Sequence, residues 1–74
     1  MTREEEILFM QVRLIRLASE KWGMAVGETA KLFRKCNVLE FISDGYDEFH
    51  CEGDVAVLNE VEQFLQTKGV DPYV

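Results

Sequence analysis

The chain has 74 residues, is 47% hydrophobic with a single proline, and carries a net charge of −6. That length holds one core, burying only about 60% of the surface the unfolded chain exposes, and the hydrophobic fraction sets the chain apart from disordered sequences. Residues 1–37 carry seven Lys/Arg against five Asp/Glu and residues 38–74 one against nine, so the halves should attract each other, while exposed acidic surface disfavours nucleic acid and anionic membrane.

Thr2 suits the cap of a first helix over residues 3–22, with Glu4, Glu5 and Glu6 in its first turns, where the helix dipole favours negative charge. At about 100° per residue, Ile7, Leu8, Met10, Val12, Leu14, Ile15, Leu17, Ala18 and Trp22 cover a little over half the circumference, opposite Arg13, Arg16 and Glu20. So wide an arc predicts packing against more than one neighbour. Gln11 falls inside the arc and needs a hydrogen-bond partner there. Phe9 falls among the arginines, either as a surface aromatic partly covered by Arg13 or as an anchor for a partner chain. Gly23 is placed to stop the helix in a left-handed conformation, with Met24 folding back on Ala18.

A second helix is expected over residues 26–36, with Val26, Ala30, Leu32, Phe33 and Cys36 on its inner face. Ala25 is a poor cap, Glu28 is spaced to reach back to it, and Asn37 tolerates the left-handed turn that ends the helix. Across residues 38–50, Val38, Leu39, Phe41, Ile42, Tyr46 and Phe49 gather opposite Glu40, Ser43, Asp44, Asp47 and Glu48, a helical pattern with a kink expected at Gly45. The alternative is a short hairpin within residues 46–57, which rests on Glu52-Gly53 and the β-branched Val55 and Val57. A last helix over residues 54–68 takes Asp54 as its cap, buries Val57, Leu58, Val61, Phe64 and Leu65, and is stopped by Gly69, with Val70 touching Leu65 and residues 71–74 loosely held. The expected fold is all-α: a compact bundle of about four helices (3–22, 26–36, 38–50, 54–68) in a single domain, 1–74, with the first helix against the last.

The opening segment is acidic before its apolar run, and Gln11, Arg13 and Arg16 interrupt that run, so neither a signal peptide nor a membrane span is expected. Cys36 and Cys51 then read as reduced thiols of a cytoplasmic protein, held apart by about 20 Å of helix if residues 36–51 are helical. The single histidine, His50, stands beside Cys51 with no phosphate loop or nucleophile motif. Adjacent residues on a helix diverge by about 100°. Asp47, His50 and Asp54 could approach one another near the last turn, without the paired spacing of a metal site. No catalytic, cofactor-binding or metal residue is therefore assigned, and the protein is read as not an enzyme.

Several stretches carry a resemblance: the opening apolar helix, Ala30-Lys31-Leu32-Phe33, the run from Val38-Leu39 to Ile42, residues 46–50 followed by Gly53, and the closing acidic helix into Leu65. Together they resemble a family of short bacterial helical proteins catalogued as a domain of unknown function. Ala25 stands where that family tends to have a small hydroxyl cap, and Asn37 where it tends to have glycine. The resemblance implies a gene neighbourhood with an ADP-ribosyltransferase-like companion domain, and hence an accessory, antitoxin-like role.

The leading expectation is a non-enzymatic interaction module that binds another protein, the product of a neighbouring gene, or itself. The candidate surface is Phe9, Arg13 and Arg16 on the first helix, with the acidic stripe Glu40, Asp44, Asp47 and Glu48. The alternative is a helix-turn-helix-like regulator of nucleic acid formed by residues 25–50. Its recognition helix would hold those four carboxylates against phosphates, which opposes the counterion release that drives such binding.

Overall fold

The first helix begins at a reciprocal cap. In the computed structural model, which describes residues 1–72, the Thr2 hydroxyl accepts from the Glu5 backbone N–H at 3.2 Å, and the Glu5 carboxylate accepts from the Thr2 N–H and hydroxyl, each at 3.0 Å. This capping box satisfies donors that a helix start leaves free. The same bonds hold the Glu5 carboxyl below its ordinary pKa. From this cap α1 runs over Arg3–Trp22 and stops at Gly23, whose φ of 67° is left-handed. The N–H groups of Gly23 and Met24 both return to the Ser19 carbonyl, and Ser19 Oγ donates to the Met24 carbonyl at 2.6 Å.

The second helix, α2, spans Val26–Lys35. Ala25 offers no side-chain cap, and the fully buried Thr29 donates its hydroxyl to the Ala25 carbonyl at 3.0 Å. Two expectations are corrected here. Val26, assigned to the inner face, is half exposed, and Glu28 lies 3.9 Å from Lys31, one turn on, instead of reaching back to Ala25. Asn37 takes φ 61° and turns the chain.

Residues 38–44 and 46–49 are helical, and no strand forms among the described residues, which removes the hairpin alternative. The expected kink divides the segment into α3, Val38–Asp44, and α4, Tyr46–Phe49. Hydrogen bonds continue through the kink, from Gly45 N–H to the Phe41 carbonyl and from Phe49 N–H to the Gly45 carbonyl. Gly45 is required for space: a Cβ there would stand 2.5 Å from Cε2 of the Phe49 ring.

The last helix, α5, spans Asp54–Thr67. Gly53 occupies the cap position and Asp54 is the first helical residue, so the expected Asp54 cap is corrected: its carboxylate accepts from Arg13 Nε of α1 at 3.0 Å. Gly69, at φ 74°, ends the helix, and the Val70 N–H returns to the Leu65 carbonyl. The terminal segment expected to be loose, 71–74, falls partly outside the described residues.

One face of α1, Met10, Leu14, Ala18 and Trp22, meets Phe33 and Cys36 from the α2 end, Val38 and Ile42 of α3, Tyr46 and Phe49 of α4, and Val57, Leu58, Val61 and Leu65 of α5 in a single core. Rings tie its edges. Trp22 and Phe33 lie 6.0 Å apart, and Phe41 stacks on Phe64 at 4.3 Å. The polar residue expected to trouble the inner arc is satisfied, since Gln11 Nε2 donates to the Leu39 carbonyl of α3 at 2.9 Å. The Trp22 indole N–H likewise donates to Glu62 at 2.8 Å.

Gly45→Ala should force the buried Phe49 ring from its place and cost about 1–3 kcal/mol, the usual range for overpacking. Denaturant unfolding of the variant measures this. Unchanged stability would mean that the ring is free to move aside.

Candidate functional site: the outer face of α1

Helical spacing places Phe9, Arg13 and Arg16 on one side of α1, away from the stripe that enters the core. Phe9 is 49% exposed. Two shallow recesses meet at Arg13. One lies between Phe9, Glu6 and Arg13 of α1 and Tyr46 and His50 of the α4 segment. The other lies between Arg13, Arg16 and Glu20 of α1 and Asp54 and Val55 at the start of α5.

The floor of the first recess is held by polar contacts that also dock α4. The Tyr46 hydroxyl donates to Glu6 at 3.1 Å, and burial, followed by that bond, raises the phenol above its ordinary pKa. The Arg3 guanidinium lies over the Tyr46 ring at 5.2 Å and donates to Asp47 at 2.6 Å. That hydrogen bond and the charge behind it hold the Asp47 carboxyl below its ordinary value and raise Arg3. His50 stacks on Tyr46, with ring centroids 5.2 Å apart.

The seven candidate residues separate into distinct roles. Phe9, Arg13 and Arg16 stand together. Asp47 belongs to the docking of α4 on α1 through Arg3, while Glu40, Asp44 and Glu48 are exposed. The expected stripe is interrupted at Gly45, which leaves Glu40 and Asp44 on α3 and the other two on α4. The attraction between basic and acidic halves is present as discrete pairs: Arg3–Asp47, Arg13–Asp54 and Lys21–Glu62 each join α1 to the second half. Arg16 has no ion pair among the described residues.

Sequence reasoning missed several residues of this face. Leu8 and Val12, assigned to the inner arc, are exposed by 56% and 39%. Tyr46, His50, Asp54 and Val55 line the recesses from other elements, and no local pattern announces such an encounter. His50 and Cys51 were expected to diverge, yet Cys51 Sγ lies 3.8 Å from His50 Nε2. The helical angle does not apply there, because His50 already caps α4 and Cys51 lies in the turn beyond it. Cys36 is buried, Cys51 is exposed, and both thiols are free. Asp47 and Asp54 are each engaged by an arginine. Among the described residues no group of three or more His, Cys, Asp or Glu is arranged to hold a metal ion.

One carboxylate outside this face is partly buried. Glu60 on α5 has Oε2 buried without a hydrogen-bond partner. Burial, then the neighbouring Glu52 and Glu48 carboxylates, push its pKa up.

The fold is thus a small all-α domain with an apolar, arginine-bearing helix face turned outward, and among the described residues no helix is long and apolar enough to cross a membrane. A family model described as "Protein of unknown function (DUF3791)" matches residues 9–68, and the chain belongs to that family. No curated protein and no solved structure matches it.

A carboxyl whose pKa is raised by folding contributes stability that is fully present below its unfolded pKa and lost as pH rises through the folded value. Glu60→Gln should therefore exceed the parent in stability near neutral pH, with the difference shrinking as pH falls through the carboxylate range. Unfolding at a series of pH values reads this. A constant difference between the two proteins would contradict the raised pKa.

Proposed function

We propose that the protein is a non-enzymatic interaction module of the cytoplasm that binds another protein through the outer face of α1. The observation that carries this reading is the cluster of Leu8, Phe9 and Val12, all substantially exposed on the longest helix, beside Arg16 and the recesses around Arg13. A domain of this size has little apolar surface to spare from its core. Placing three large apolar side chains together outside that core supports a docking surface, with the arginines adding steering and register. The resemblance noted above favours a bacterial setting, in which a natural partner is the product of a neighbouring gene with an ADP-ribosyltransferase-like domain and the module acts as its accessory or antitoxin. The helix-turn-helix alternative gains no support from a third helical segment that kinks after seven residues and keeps Glu40 and Asp44 exposed.

Phe9→Glu should leave the helical circular dichroism and unfolding midpoint close to those of the parent, while abolishing co-purification with the co-encoded neighbour. Loss of the fold would place Phe9 in the core instead. Retained capture by a folded variant would remove this face from the interaction.

A further inference from the structure

We propose that the outer face of α1 pairs with the same face of a second copy of this chain, the two helices lying antiparallel about a two-fold axis between positions 10 and 11. The inference rests on the reading of this face as a docking surface and gives it a further occupant, a second copy of the chain.

Glu5, Leu8, Phe9, Val12 and Arg16 are all exposed and, at about 100° per residue, fall within an arc of about 100° on α1. They form an apolar centre with an acid toward the N-terminal end and a base toward the C-terminal end. Neither of these two charges is held in an ion pair within the monomer, among the described residues. Three of the four cations of α1, Arg3, Arg13 and Lys21, form ion pairs with the second half of the chain, whereas Arg16 forms none among the described residues. At Glu5, which is exposed, both bonds that the carboxylate accepts from Thr2 go to Oε1, and Oε2 takes no part in them.

An isologous two-fold contact sets residue i of one copy against residue j of the other, and j against i. Positions 5 and 16 are equidistant from the proposed axis, as are 9 and 12. In the antiparallel arrangement Glu5 of each copy therefore meets Arg16 of the other, and Val12 packs against Leu8 and Phe9 across the seam. The ion pairs stand at the two ends of a contact about 17 Å long, at about 1.5 Å of rise per residue. A parallel arrangement would set Glu5 on Glu5 and Arg16 on Arg16. Electrostatics thus selects one orientation, and a face complementary to itself is what a second copy requires. One helix face is small for an interface, so the dimer should be weak and concentration-dependent.

Sedimentation equilibrium from micromolar to millimolar protein tests this. The parent is expected to pass from monomer to dimer. Arg16→Glu and Glu5→Lys should each weaken self-association by about tenfold or more, because like charges then meet at both ends of the seam. An equimolar mixture of the two variants should restore the dimer as a heterodimer, since Lys at position 5 of one then meets Glu at position 16 of the other. Should Glu5→Lys unfold through loss of its cap, Arg16→Glu alone decides: added salt should strengthen its dimer and weaken that of the parent. A strict monomer, a dimer indifferent to both reversals, or a salt response of the same sign in parent and Arg16→Glu would overturn the proposal. A monomer whose capture of the co-encoded neighbour is still abolished by Phe9→Glu would overturn the dimer alone. If neither association exists, the module reading fails with it.

Discussion

The structure depends on burying one stripe of α1. Met10, Leu14, Ala18 and Trp22 recur at four-residue intervals and are all nearly inaccessible to solvent. Side chains so spaced form a ridge that neighbouring helices can straddle. Each full-sized apolar residue sequestered along it contributes about 1.5–3 kcal/mol relative to exposure. The short helices depend on such packing: α3 has seven residues and α4 four, lengths that are unstable in isolation. The long helix is therefore the template on which the short ones become helical.

Once that ridge is covered, polar contacts decide where the short elements lie. Arg3 fixes α4 through Asp47, Gln11 fixes α3 through the Leu39 carbonyl, Arg13 fixes the start of α5 through Asp54, and Lys21 and Trp22 fix its middle through Glu62. Exposed ion pairs contribute at most about 1 kcal/mol each, so their importance is in register more than in energy. They also place the charges of the two halves against one another: three of the four cations of α1 are met by carboxylates of the acidic second half. Arg16 stands outside this pattern, exposed and without an ion pair among the described residues, at the recess between α1 and the start of α5.

The helix ends were largely legible in the sequence, because capping is local. Thr2, Gly23, Asn37 and Gly69 act within a few residues of themselves, and the kink at Gly45 follows from the same kind of reading. Facing was legible only in part. A helical wheel records polarity but not which arc the neighbours reach, so Leu8 and Val12 were placed in the core, while Thr29, polar and fully buried, was passed over. Asp54 has the local pattern of a cap, but its partner, Arg13, lies 41 positions away. At the candidate site, Phe9, Arg13 and Arg16 were visible as an interruption of apolar periodicity. Tyr46, His50 and Val55 reach the same face through tertiary packing, which no local pattern encodes.

Membership of a family described only as of unknown function leaves the surface as the main guide to role. That surface gives α1 two faces, one that builds the domain and one that keeps Leu8, Phe9 and Val12 exposed, which we propose as the docking face. Methyl NMR across a concentration series tests this division most directly. The Leu8 and Val12 methyl resonances should shift as protein concentration rises, while those of Leu14, Leu58 and Leu65 stay fixed. Core methyl groups moving together with Leu8 and Val12, or Leu8 and Val12 remaining unchanged to millimolar concentration, would contradict a self-associating outer face separate from the core.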